Sequence, residues 1–162
     1  MAETVFELSD YPVYNPNQME FVFDQYTARV PVGGTCSLGF YVPLAELPTG
    51  YQNAAYAVNS SVIMPSSFGL QSGFLTMSGF VPNVSEFRND LVYSQDGADY
   101  LVPMVLIENT GSTINRTTVS SVSLHVTDGG QAPVRLGSNG IKGVRLGETP
   151  VVGLRLGDKK LF

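Results

Sequence analysis

The sequence has no tryptophan, one histidine and one cysteine, and each scarcity narrows the chemistry open to it. Cys36 has no partner for a disulfide framework and no second thiolate for a zinc site, which leaves it the role of a small buried hydrophobe. His125 is the only imidazole available to any acid–base scheme. Charged residues make up 14 % of the chain, against about a quarter in ordinary soluble domains. A polar surface built mainly from Ser, Thr, Asn, Gln and Gly suits a subunit that chiefly contacts other subunits. No stretch approaches the ~20 consecutive apolar residues needed to span a bilayer, so no membrane partner is expected. The opening "MAETVFELSD" carries acids where a secretory signal has a basic start, and synthesis in a cytoplasm is the expectation.

What the chain does have is turn formers and strand formers. Seventeen Gly, ten Pro, eight Tyr and nine Phe favour short strands joined by turns over long helices. Runs of alternating or β-branched residues follow one another: "MEFVFDQYTARVPV" from Met19 to Val32, "TCSLGFYVPL" after Gly33–Gly34, "AAYAVNSSVIM" before Pro65, "SGFLTMSGFV" before Pro82, "YLVPMVLIEN" before "NTGS", and "TTVSSVSLHV" before "DGG". In the first run Phe21, Phe23 and Tyr26 are expected to share a face. In the last, Val119, Val122, Leu124 and Val126 alternate with polar residues, imperfectly at first and cleanly at the end. The best helical candidate, "PLAELPTGYQNAAYA", is cut by Pro48 and Gly50. The pattern predicts an all-β chain: an antiparallel β-sandwich body of jelly-roll or Ig-like type over residues 1–130, then a short C-terminal β-meander or intertwined repeat over 131–162.

Charge divides along the same boundary. Residues 1–132 hold twelve acids and three bases, net −9, while residues 133–162 hold six bases and two acids, net +4. Those bases alternate with Val and Leu, and only Phe162 offers an aromatic for stacking, so no nucleic acid is expected as a partner. The segment "VRLGSNGIKGVRLGETPVVGLRLG" repeats one phrase at a spacing of ten. Reading 141–146 and 151–156 as strands joined by "GETP" puts Val134, Leu136, Val144, Leu146, Val152, Leu154 and Leu156 on one face. Arg135, Arg145 and Arg155 then share the other. Burying even five such aliphatic side chains contributes on the order of 8–15 kcal/mol at ~1.5–3 kcal/mol each. Repetition suits surfaces that pack against copies of themselves, so these ten residues are the expected assembly interface.

Candidates for chemistry are thin. His125 lies near Ser121, Ser123 and Asp128, but no G-x-S-x-G elbow is present, and Ser123 and His125 on one strand are expected to point in parallel. The expectation is a strand histidine at the solvent edge. Acid pairs (Glu20 and Asp24, Glu86 and Asp90, Asp96 and Asp99) are scattered. "SQDGADY" lacks the alternating acids and terminal Glu of an EF-hand loop. No catalytic residue, cofactor or metal is expected, and the protein is read as not an enzyme. The alternative with substance is a glycan-binding receptor module stacking sugars on tyrosines, with Tyr51 and Tyr56 as its candidate contacts.

The tail "VRLGSNGIKGVRLGETPVVGLRLGDKKLF" resembles the V-x-L-G-x-x-x-V phrases near the ends of many tailed-bacteriophage virion proteins. The resemblance covers Val134 to Phe162, and where those proteins often carry an aromatic this chain has Arg135, Arg145 and Arg155. It implies a virion structural protein, either of the tail, fibre or baseplate or of the outer capsid as a decoration. Its implied partners are its own copies, a trimer being the expected state, and other virion proteins.

Overall fold

The computed structural model describes residues 2–129 in full and, beyond them, the backbone of four short strands. The chain divides into two compact units, residues 1–130 and 131–162. It is all-β, 59 % strand and 9 % helical, with antiparallel sheets of which none closes, a β-sandwich type of fold. The best helical candidate is two 3-10 turns, Leu44–Glu46 and Tyr51–Asn53, since Pro48 and Gly50 leave no uninterrupted stretch for a longer one.

The first sheet is organised around β13 (Asn115–Thr127). Along one side runs β7 (Ala55–Ile63); along the other lie β4 (Gln25–Val30) and β1 (Glu3–Glu7) end to end, with β3 (Glu20–Val22) outside β4. The second sheet has the order β2 (Val13–Tyr14), β5 (Thr35–Phe40), β12 (Pro103–Asn109), β8 (Phe68–Thr76), β9 (Gly79–Pro82). A third pairs β10 (Val92–Gln95), β11 (Ala98–Leu101) and β6 (Val42–Pro43). All three feed one core: Val119, Val122 and Leu124 from the first, Leu38, Phe40, Phe74 and Ile107 from the second, Val42 and Leu101 from the third.

The uneven start of the "TTVSSVSLHV" alternation has a structural cause. β13 pairs with β7 as Val119↔Val62 and then Ser121↔Ser61, so Ser120 is a bulge. Two serines separate Val119 from Val122, and the extra residue returns Val122, Leu124 and Val126 to the face that Val119 occupies. On its other side β13 pairs with β4 up to Val119 and with β1 from Ser123 onward. Ser120, Ser121 and Val122 lie between those two registers.

"MEFVFDQYTARVPV" is not one strand but the β3–β4 hairpin. Phe23 and Asp24, with φ of +51° and +59°, form its two-residue turn. Positive φ at both positions suits Asn, Asp and Gly, and it is Phe23, not Asp24, that hides the turn in the sequence. Phe21 and Tyr26 are cross-strand partners with their rings 4.8 Å apart, but Phe23 sits in the turn, so the expectation that all three share one face is corrected; Phe21 and Phe23 are 59 % and 93 % exposed.

Fully buried Asn109 closes the opposite end of the core. Its amide donates to the carbonyls of Val30 and Thr113, each at 2.9 Å, and its Oδ1 accepts from the Gly111 N–H at 3.0 Å.

In the arm, β14 (Val144–Leu146) pairs with β15 (Thr149–Val151), and β16 (Arg155–Leu156) pairs with β17 (Lys159–Lys160). β15 takes in Thr149 and Pro150 of the expected "GETP" link. Val134, Arg135, Leu136, Val152 and Leu154 lie outside the described residues, and for the other five interface residues the backbone alone is described.

Candidate functional site

His125 does find a serine and an acid. Its Nε2 lies 3.1 Å from Ser123 Oγ, and its Nδ1 lies 3.0 Å from Glu3 Oε1. The expectation that Ser123 and His125 merely point in parallel is corrected, and the acid comes from β1, 122 residues away, not from Asp128. These distances match a nucleophile–base–acid relay. The surroundings do not. Ser123 is 9 % exposed and sits mid-strand, paired with Glu7 on one side and Asn59 on the other. The ladder thereby commits the neighbouring amides that an oxyanion hole needs. The relay ties β1 to β13.

Tyr56, proposed above as a sugar contact, is a core residue. It is 4 % exposed, donates its hydroxyl to the Tyr51 carbonyl at 2.6 Å, and packs on Phe74 and Phe87, both at 6.0 Å between ring centres. Burial raises its pKa above the usual phenol range. Tyr51 stands edge-on to Phe87 at 5.0 Å. Tyr56 is thus buried in the core and presents no platform.

The half-buried tyrosines gather elsewhere. Tyr41 meets Tyr14 at 6.1 Å, Tyr93 at 6.0 Å and Tyr100 at 5.6 Å, and Tyr93 and Tyr100 are cross-strand partners in the β10–β11 hairpin. Burial, with Tyr93 nearby, raises the pKa of both Tyr14 and Tyr41. That hairpin turns at Asp96–Gly97, where both φ values are positive, so "SQDGADY" is a turn; Ser94 donates to Asp99 at 2.6 Å. Among the described residues, no three of His, Cys, Asp and Glu come together to hold a metal. Cys36 is buried, and desolvation pushes its thiol up to about 11.

The most site-like region is the interruption in the first sheet. Where β1 ends and β4 begins, a cavity of about 380 Å³ opens over Ser120 and Ser121. Tyr11, Val13, Phe21 and Tyr26 line it together with Glu7 and Asp24, and no base does. Tyr11 donates to Glu46 at 2.7 Å, a bond that pushes its phenol up to about 12. Phe21 rests on Tyr26 at 4.8 Å. The carboxylates of Glu7 and Asp24 make no hydrogen bond or ion pair with any described residue. Beside the cavity stands the exposed tip Phe21–Val22–Phe23. Sequence reasoning missed this place, because its parts come from three separate segments. The signal that pointed toward it was the broken alternation at Ser120–Ser121. Compared with family models, curated proteins and solved structures, the chain matches none.

Proposed function

We propose that this chain is a non-enzymatic structural subunit of a tailed-phage virion that works by associating with its own copies and with neighbouring virion proteins. Its place is the tail or fibre base, or the outer capsid as a decoration. The observation that carries the assembly reading is the tip of the β3–β4 hairpin. A bulky side chain in the left-handed region costs about 1 kcal/mol, and Phe23 there is 93 % exposed, so the strain brings the isolated body no packing in return. A contact with another subunit supplies what the isolated fold lacks. The repeated aliphatic phrases of the arm support the same reading, and the phage assignment rests on their resemblance alone.

Phe23→Asn tests this directly. Asn suits the turn, so the expected result is a denaturation midpoint raised by about 1 kcal/mol equivalent together with a lower mass by light scattering. A more stable chain that associates unchanged would remove the hairpin from the proposal.

A second reading, glycan recognition, is favoured by the Tyr14–Tyr41–Tyr93–Tyr100 cluster rather than by Tyr51 and Tyr56. Glycan-array binding lost in Tyr93→Ala supports it; an array with no signal for the parent chain removes it.

A further inference from the structure

We infer that the cavity at the interrupted sheet edge receives an arginine-bearing strand from the arm of a second copy of this chain. The inference rests on the assembly reading above and names where the grip falls.

The cavity selects for a cation on an apolar stem. Two carboxylates without partners among the described residues, Glu7 and Asp24, face a cavity whose other walls include the three rings of Tyr11, Phe21 and Tyr26. A guanidinium pairs with carboxylates through its planar fork of donors and also lies against aromatic faces. An ammonium, being more strongly hydrated, fits such walls less well. Residues 1–132 carry net −9, so the surrounding field draws in positive charge.

The arm has the complementary chemistry. Residues 133–162 carry net +4, and each of Arg135, Arg145 and Arg155 stands between two aliphatic residues. Backbone length agrees too. The stretch of β13 outside the β4 and β1 registers is three residues, Ser120–Val122, and β14 is the three-residue strand Val144–Leu146. A short extended segment laid there adds a strand piece to an open sheet edge, with its arginine filling the adjacent cavity. The exposed Val22 and Phe23 beside it offer apolar contact to the flanking Val and Leu.

The test uses the full chain. Cys36 is buried, so an introduced cysteine is the reactive thiol under native conditions. Asp24→Cys protein is mixed with Arg135→Cys, Arg145→Cys or Arg155→Cys protein and oxidised under mild conditions. The expected result is a disulfide-linked heterodimer from at least one mixture, well above what Asp24→Cys forms with a control cysteine at Asp96. In parallel, Glu7→Gln/Asp24→Asn is expected to weaken association by at least about tenfold, from the loss of two charge-assisted contacts. Its thermal midpoint should stay unchanged, because neither carboxylate has a partner within the described fold.

A chain that associates normally in the Glu7→Gln/Asp24→Asn variant and gives no cross-link overturns this inference while leaving the assembly reading standing. Closure within a single chain, seen only when both cysteines are in one molecule, also overturns it, because the occupant is then not a second copy. A parent chain that stays monomeric removes both.

Discussion

Deleting Ser123 is expected to cost about 3–5 kcal/mol, while deleting Ser120, three residues earlier, should leave the fold within about 1 kcal/mol of the parent. Ser120 is the bulge residue: without it, Val119↔Val62 runs straight into Ser121↔Ser61. Val119, Val122, Leu124 and Val126 then alternate without interruption, and every core side chain keeps its face. The loss is a bond from Ser120 Oγ to the Ser61 carbonyl at an exposed position. Ser123 has no such slack. The least disruptive accommodation of its absence dissolves the bulge, seating Ser121 opposite Ser60 and Val122 opposite Asn59. Fully buried Val122 moves to the outer face, at ~1.5–3 kcal/mol, and a serine hydroxyl enters the core, at about 1–3 kcal/mol. The Ser123–His125 hydrogen bond goes as well. Urea unfolding of the two deletion variants checks this. Equal destabilisation would mean that Ser120 is not the residue that sets the phase of β13.

Asn109→Leu is expected to cost about 2–4 kcal/mol despite similar side-chain volume. Asn109 is fully buried, and its side chain satisfies two carbonyls and one amide in different segments. Leucine leaves the Val30 carbonyl inside the protein without its donor, and an orphaned buried polar group costs about 1–3 kcal/mol. The other two groups belong to the turn after β12 and recover part of their loss by facing water. Asn109→Asp keeps the acceptor for Gly111 but sets a carboxylate against two carbonyl oxygens, so at neutral pH it should be at least as costly. Denaturant midpoints measure both. An Asn109→Leu change within about 0.5 kcal/mol, the range of an ordinary surface substitution, would mean that these three bonds do not hold the turn.

Much of the body was legible from strand chemistry alone. The runs bounded by Gly and Pro become strands because alternation meets the two-residue period of the pleat. Asp96–Gly97 turns a hairpin as that dipeptide commonly does. The bulge was visible as two serines between Val119 and Val122, although its place on the chain did not disclose the cavity beside it. Other features depend on information that is not local. Phe23 does not announce a turn, because the turn is imposed by pairing of β3 with β4. The acid on His125 comes from Glu3, which becomes a neighbour only when β1 joins β13. Tyr56 stands at the start of β7 beside the polar "YQN" turn, yet it closes the core against Phe74 and Phe87. In the arm, spacing placed the repeats, but Thr149 and Pro150 of the "GETP" link belong to a strand.

The central claim is that this chain associates through its arm. Residues 1–130 form one of the two compact units and hold the described core, so the shortened chain ends at Gly130. The decisive measurement is the light-scattering mass of the full chain beside that of the shortened one, at matched concentration and at low and high salt. The account predicts a multiple of the 17.4 kDa protomer mass for the full chain, falling as salt rises, and a single body for the shortened chain. Monomers in both samples, or the same oligomer in both, would contradict it.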